Sequence, residues 1–184
     1  TGLGGGIVMN GRLLTGNGGI AAEFGHMIVR HGGRRCNCGN RGCAEAYASK
    51  AGFFKAFQKR ILEGGEQSLV KDRVDWDTGK IKSKHLASAY AKGDKVVREV
   101  LDEGMKVLGA TAATVCAVVA PECIVFGGGV MGALGRELFP VIEESFRENL
   151  FGLKPSRIKL KLAALDDHSV ALGATVLASK KGGV

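Results

Sequence analysis

Glu23-Phe24-Gly25-His26 and, after it, Arg35-Cys36-Asn37-Cys38-Gly39-Asn40-Arg41-Gly42-Cys43-Ala44-Glu45 are the most informative stretch of this 184-residue chain. Cys36, Cys38 and Cys43, with a histidine upstream, supply three thiolates and one imidazole, a ligand set suited to tetrahedral zinc. The C-x-C-x4-C spacing is not the C-x2-C of common zinc fingers. Gly39 and Gly42 let the backbone fold tightly around an ion. His31 competes with His26 as the fourth ligand and is favoured by proximity alone. Four protein ligands leave no open coordination position, so the metal is expected to be structural and not hydrolytic. Sites of this kind contribute about 10–16 kcal/mol of apparent binding energy, enough to hold a loop that has no apolar core. Glu23 and Glu45 bracket the ligands and are not needed by the metal. Carboxylates accept paired hydrogen bonds from neighbouring hydroxyls. Two acids fixed by a metal knot therefore point to a ligand rich in hydroxyl groups, with a sugar the natural case.

The rest of the composition is compatible with this reading. Apolar residues make up 45% and charged residues 24% of the chain, both ordinary for a globular domain with a core of its own. No apolar run approaches the roughly 20 residues of a membrane span, and no signal peptide is expected, since the sequence opens on a glycine turn at Thr1. Thiols this close together fit metal ligation in a reducing cytoplasm better than disulfides. Cys116 and Cys123 sit in apolar stretches and are expected to be small buried residues. The net charge of +8 is spread over Lys55, Lys59, Arg60, Lys92, Lys95, Lys180 and Lys181. No stripe interleaved with aromatics appears, so solvated surface is expected and not a nucleic-acid face.

Asn10-Gly11 between residues 6–10 and 12–15 predicts a tight hairpin. Residues 16–42 read as loop, with a strand at 26–29. Tyr47, Ala51, Phe54, Phe57 and Ile61 recur at helical spacing, predicting a helix over 44–63 that Gly64-Gly65 ends. Residues 66–82 are polar and read as loop or fragments of helix. Ser83 is expected to cap a helix to Tyr90, and Asp94 a long one to Val119, stopped by Pro121. Residues 107–119 are apolar on nearly every face and are expected to be buried. Strands are predicted at 123–126 and 158–164, and helices at 134–149 and from Asp166 or Asp167 to Ser179. Alternation of strands and helices in this half predicts an α/β layered fold. Two glycine turns, Thr1-Gly2-Leu3-Gly4-Gly5-Gly6 and Gly127-Gly128-Gly129, lie at strand junctions where bare amides can approach phosphate. Neither matches a P-loop or a full G-x-G-x-x-G.

Taken together, these motifs resemble the ROK family, which joins bacterial sugar kinases such as glucokinase and N-acetylmannosamine kinase with sugar-responsive repressors. Residues 23–26 are similar to its E-x-G-H sugar motif, and residues 36–45 to its C-x-C-G-x-x-G-C-x-E signature, position by position. Residues 1–8 resemble its second phosphate loop, residues 127–130 its adenosine-side glycine run, and residues 167–178, with Ala171-Leu172-Gly173-Ala174, its closing helix. The resemblance implies zinc on His26, Cys36, Cys38 and Cys43, with the other imidazole nitrogen facing the sugar. It implies sugar contacts from Glu23, His26 and Glu45. ATP phosphates with magnesium would lie on Thr1, Gly2, Gly4, Gly5, Gly127, Gly128 and Gly129.

The fold implied is the C-terminal lobe of an actin-like (ribonuclease H-like) ATPase, occupying residues 1–184 with the zinc and sugar loop 16–45 inserted. The family's D-x-G-G-T motif and its general-base aspartate have no counterpart in this sequence. The chain is therefore expected to be part of a larger protein, to lack the first strand of its own sheet, and to be inactive alone. The activity expected of the intact protein is ATP-dependent phosphorylation of a hexose or N-acetylhexosamine in the cytoplasm, by a homo-oligomer with no membrane partner. The alternative is the sensor domain of a repressor, the one case that brings in nucleic acid.

Overall fold

The computed structural model describes residues 2–152, 157–165 and 168–181, and within them a long helix carries most of the packing. This helix, α4 (Lys95–Val119), begins where Asp94 accepts a hydrogen bond from the Val97 amide at 3.0 Å, as the sequence predicts. Asp94 also accepts from the Ser68 hydroxyl and the Leu69 amide, which fastens the preceding loop to the same cap. At the other end Ala120 adopts a left-handed conformation (φ 46°) just before Pro121, and the helix stops.

α5 (Gly129–Asn149) lies along α4. They pack tightly at Gly109, where an added Cβ would meet the Ile142 carbonyl oxygen at 2.5 Å. Leu101 of α4 and Leu138, Ile142 and Phe146 of α5 fill the main core with Phe53, Phe57 and Leu86. Two of those aromatics come from α2 (Lys50–Phe57), and Leu86 comes from α3 (Ser83–Ala91). α5 also joins the parallel strands β3 (Cys123–Phe126) and β4 (Lys159–Leu162), which pair Cys123 with Lys159 through to Phe126 with Leu162. This β3–α5–β4 unit bears out the expected α/β class. A separate antiparallel hairpin, β1 (Val8–Met9) and β2 (Arg12–Leu13), turns through Asn10 and Gly11. Both turn residues have positive φ (52° and 73°), as an Asn-Gly hairpin requires.

Several sequence expectations give way to tertiary packing. The helix expected over 44–63 is broken at Ser49, which is extended and accepts a hydrogen bond from the Gly52 amide. α1 (Glu45–Ala48) precedes the break, and α2 runs on into a π-helical turn, Gln58–Glu63. The break rotates Phe53 fully into the core and leaves Phe54 half-buried. No strand forms at 26–29: Phe24–His26 is a 3-10 turn, and Ile28 makes one isolated bridge to Cys43. Ser83 does not cap α3, because Lys82 is the capping residue and offers no side-chain bond. α5 starts at Gly129, well before 134, because Gly128 at φ 97° turns the chain straight into the helix. The apolar end of α4 is not enclosed, and Val118 is 82% exposed. Cys116 is buried as expected, whereas Cys123 is exposed on β3. α6 (His168–Lys181) presents exposed Val170 and Val176. Its expected caps, Asp166 and Asp167, lie outside the described residues, as does Thr1. Among the described residues no helix is long and apolar enough to cross a membrane.

Candidate metal centre

The loop ahead of α1 folds on itself through backbone hydrogen bonds centred on its glycines. Gly39 and Gly42 both take positive φ (98° and 84°). The Cys36 amide donates to the Asn40 carbonyl, and the Gly42 amide to the Arg34 carbonyl. Val29 and Arg30 donate to the Gly42 carbonyl in turn. This knuckle brings Cys36, Cys38 and Cys43 together, and the 3-10 turn at residues 24–26 swings His26 over them. One ligand atom from each of the four residues lies within 4.8 Å of all the others, a group that could hold a metal ion. Cys38 Sγ is 3.7 Å from Cys43 Sγ, and Cys36 Sγ is 3.8 Å from His26 Nδ1. A tetrahedral ion with bonds of about 2.0–2.3 Å requires ligand separations of about 3.5–3.8 Å, and these two pairs lie at that spacing. His26 belongs to the group, whereas His31 is exposed and does not.

Cys36 and Cys43 are buried in a small second cluster with Ala44, Ala46, Tyr47 and Val107, while Cys38 stays at the surface. Burial pushes the Cys43 thiol up to about 12, helped by hydrogen bonds with Cys38 and Cys36. Burial raises Cys36 as well, and the Asn40 amide lowers Cys38. The buried thiols hold their protons at neutral pH, so an ion entering the site must displace them.

The two acids occupy different positions around this centre. His26 Nδ1 lies near Cys36, while its Nε2 is 3.9 Å from Glu23 Oε2, and both side chains reach solvent, at 37% and 61% exposure. Glu45 opens α1 and is engaged on both oxygens: Leu3 N donates to Oε2 at 3.0 Å, and the Cys36 thiol to Oε1 at 3.5 Å. The first glycine turn therefore lies against the metal loop. An added Cβ at Gly2 would meet Glu45 Oε2 at 2.5 Å, one at Gly5 would run into Phe24, and Gly4 is open. The second turn, Gly127-Gly128-Gly129, lies at the start of α5 with no side-chain cap. A Cβ built on Gly129 would have Ser83 Oγ at 3.6 Å and Lys50 Nζ at 3.9 Å. Among the described residues no hydrogen bond joins the two turns.

Sequence reading missed Lys50 and Ser83, which the fold brings to the second turn from two different helices. It also missed the ties between the loop and α4, where Arg30 and Arg34 both pair with Glu103 across some seventy positions of chain. Neither set leaves a local signal in the sequence, because partners that distant share no spacing pattern.

Comparison with known proteins places the chain. The ROK family model matches residues 1–181. A glucokinase of Thermotoga maritima is 33% identical over 183 residues, which cover all of this chain and 57% of that protein. The N-acetylglucosamine repressor of Shigella flexneri is 35% identical over 180 residues, covering 97% of this chain and 42% of the repressor. A ROK family glucokinase from Streptomyces griseus, solved in complex with glucose and AMPPNP, superposes with a TM-score of 0.80 at 32% identity. That match covers 96% of this chain and 57% of the glucokinase chain. The chain thus spans about half the length of the relatives it matches.

Proposed function

This chain belongs to the ROK family, and from that premise we propose that it is the sugar-binding lobe of an ATP-dependent hexose or N-acetylhexosamine kinase with an actin-like architecture. The observation that carries the reading is the double orientation of His26. Its Nδ1 faces the cysteines and its Nε2 faces Glu23 and solvent. A histidine that gives Nδ1 to a metal keeps its proton on Nε2 and can donate it to a ligand hydroxyl. Zinc on His26, Cys36, Cys38 and Cys43 would supply rigidity and no reactivity, since no coordination position stays open.

Glu23, beside that nitrogen, is available to accept from a neighbouring hydroxyl. Glu45 becomes available by a separate route. Once Cys36 is a thiolate it no longer donates to Oε1, and that oxygen is left free for a sugar hydroxyl while Oε2 stays anchored on Leu3. Thr1, Gly2, Gly4 and Gly5 on one side, and Gly127, Gly128 and Gly129 on the other, would line ATP phosphates and magnesium with backbone amides. Lys50 beside Gly129 adds a cation to the second set. Transfer would then depend on positioning and electrostatics, with the general base assigned to no residue of this chain.

The similarity to the N-acetylglucosamine repressor supports a second reading, in which the same platform senses sugar for transcriptional control. A coupled ATPase assay of the full-length protein against a panel of hexoses and N-acetylhexosamines tests the choice. The kinase reading expects turnover with at least one sugar and none for His26→Ala. No turnover on any sugar by metal-loaded protein, with sugar-dependent release of operator DNA, would replace it by the repressor reading.

A further inference from the structure

We propose that Glu103 of α4 is a positioning residue for the metal site, acting through Arg30 and Arg34 to set where Cys36 and Cys43 meet; this rests on the reading of those residues as metal ligands. The carboxylate is divided between two guanidinium groups. Arg30 Nη1 donates to Oε1 at 2.9 Å, and Arg34 Nη2 donates to Oε2 at 2.6 Å. Both guanidinium groups lie over the ring of Tyr47, at 5.0 and 4.7 Å from its centroid. The Tyr47 hydroxyl accepts from the Arg34 amide at 2.8 Å. Two like charges are thus gathered on one ring, and among the described residues Glu103 is the carboxylate that neutralises both. Arg34 Nη1 is buried without a hydrogen bond, which makes the arginine still more dependent on that partner.

The metal ligands inherit this arrangement through the backbone. Gly42, directly before Cys43, is held between the main chains of the same two arginines. It donates to the Arg34 carbonyl at 2.8 Å and accepts from the Arg30 amide at 3.2 Å. Its contact with the Arg30 carbonyl is so close that a Cβ would run into it. Arg34 lies one residue away from the Arg35-Cys36 step, and Tyr47 lies two beyond Glu45 on α1. Without the carboxylate the guanidinium groups repel, the arginines separate, and the strands of the knuckle open at Gly42. The core-facing positions of α4, Val100, Leu101 and Met105, are separate side chains, so the lobe itself keeps its packing.

The test loads the chain with cobalt(II), whose visible d–d bands report tetrahedral geometry, and measures metal release to a chelator. Glu103→Ala is expected to release cobalt at least about tenfold faster than the wild-type chain and to shift the d–d bands, with Glu103→Gln between the two. Trp76 fluorescence checks that the core transition is retained. Release within twofold of wild type, with unchanged bands, overturns the inference. Should Glu103→Ala fail to fold, Arg34→Gln carries the test with the same expectation and the same refuting result. A wild-type chain that takes up no cobalt overturns both this inference and the metal reading. A loaded wild type beside an unaltered Glu103→Ala overturns this inference alone.

Discussion

Cys38→Ser is expected to reduce bound metal from about one ion per chain to near zero and to unravel the knuckle between His26 and Glu45. Cys38 makes the cleanest probe of the four ligands. It is exposed and absent from both apolar clusters, so serine there removes a metal bond and almost no packing. Cys36 and Cys43 would confound the two effects, because both are buried against Tyr47 and Val107. The loop has only a small apolar cluster, and its other ties are backbone hydrogen bonds, the arginine pair on Glu103, the Tyr47 hydroxyl on Arg34 and Lys55 on Asn37. Loss of a site worth about 10–16 kcal/mol of apparent binding energy should therefore expose Arg34, Arg35 and Arg41 to trypsin. Elemental analysis and limited proteolysis measure the two consequences. Cys123→Ser, at an exposed thiol on β3, should change neither. Full metal content in Cys38→Ser would remove Cys38 from the ligand set.

The second large effect is expected in the core. Phe57→Ala should lower unfolding free energy by about 3–5 kcal/mol, a large part of the roughly 5–15 kcal/mol available to a domain. Phe57 is fully buried and stands where α2 passes into the π-helical turn, facing the α4 and α5 core. Its loss leaves a cavity that helices fixed by Gly104 and Gly109 cannot readily collapse to fill. At Gly104 an added Cβ would already meet the Phe53 ring at 2.5 Å. Urea unfolding followed by Trp76 measures the change. Trp76 is the only tryptophan of the chain and lies 5.8 Å from Phe54 of the same helix as Phe57. A change below about 1 kcal/mol would show that Phe57 does not anchor the core.

What could be read from the sequence was written in short spacings. Asn10-Gly11 specifies a turn because both residues tolerate positive φ, and Asp94 caps α4 with its own side chain. The cysteine pattern closes a knuckle through glycines at the turning points. Features set by distant partners were not legible. Ser49 breaks a periodic helix by adopting an extended conformation that its composition and spacing do not signal. The choice between His26 and His31 shows the same limit. Proximity in sequence favours His31, and only the 3-10 turn at residues 24–26 carries the more distant histidine onto the thiols. Residues 107–119 look buried because their composition is apolar, yet the last turn of α4 extends past the elements that pack on it. Lys50, Ser83 and Glu103 meet their glycine turn or arginines across long stretches of chain, which no local spacing encodes.

The central claim is that one imidazole serves both the metal and the sugar. Calorimetric titration of a hexose and N-acetylhexosamine panel tests it directly, run on metal-loaded chain and on chain stripped with a chelator. Saturable binding of at least one sugar by the loaded chain is expected, with its loss on stripping and in Glu23→Gln. A sugar that binds the stripped chain as tightly as the loaded one would contradict it.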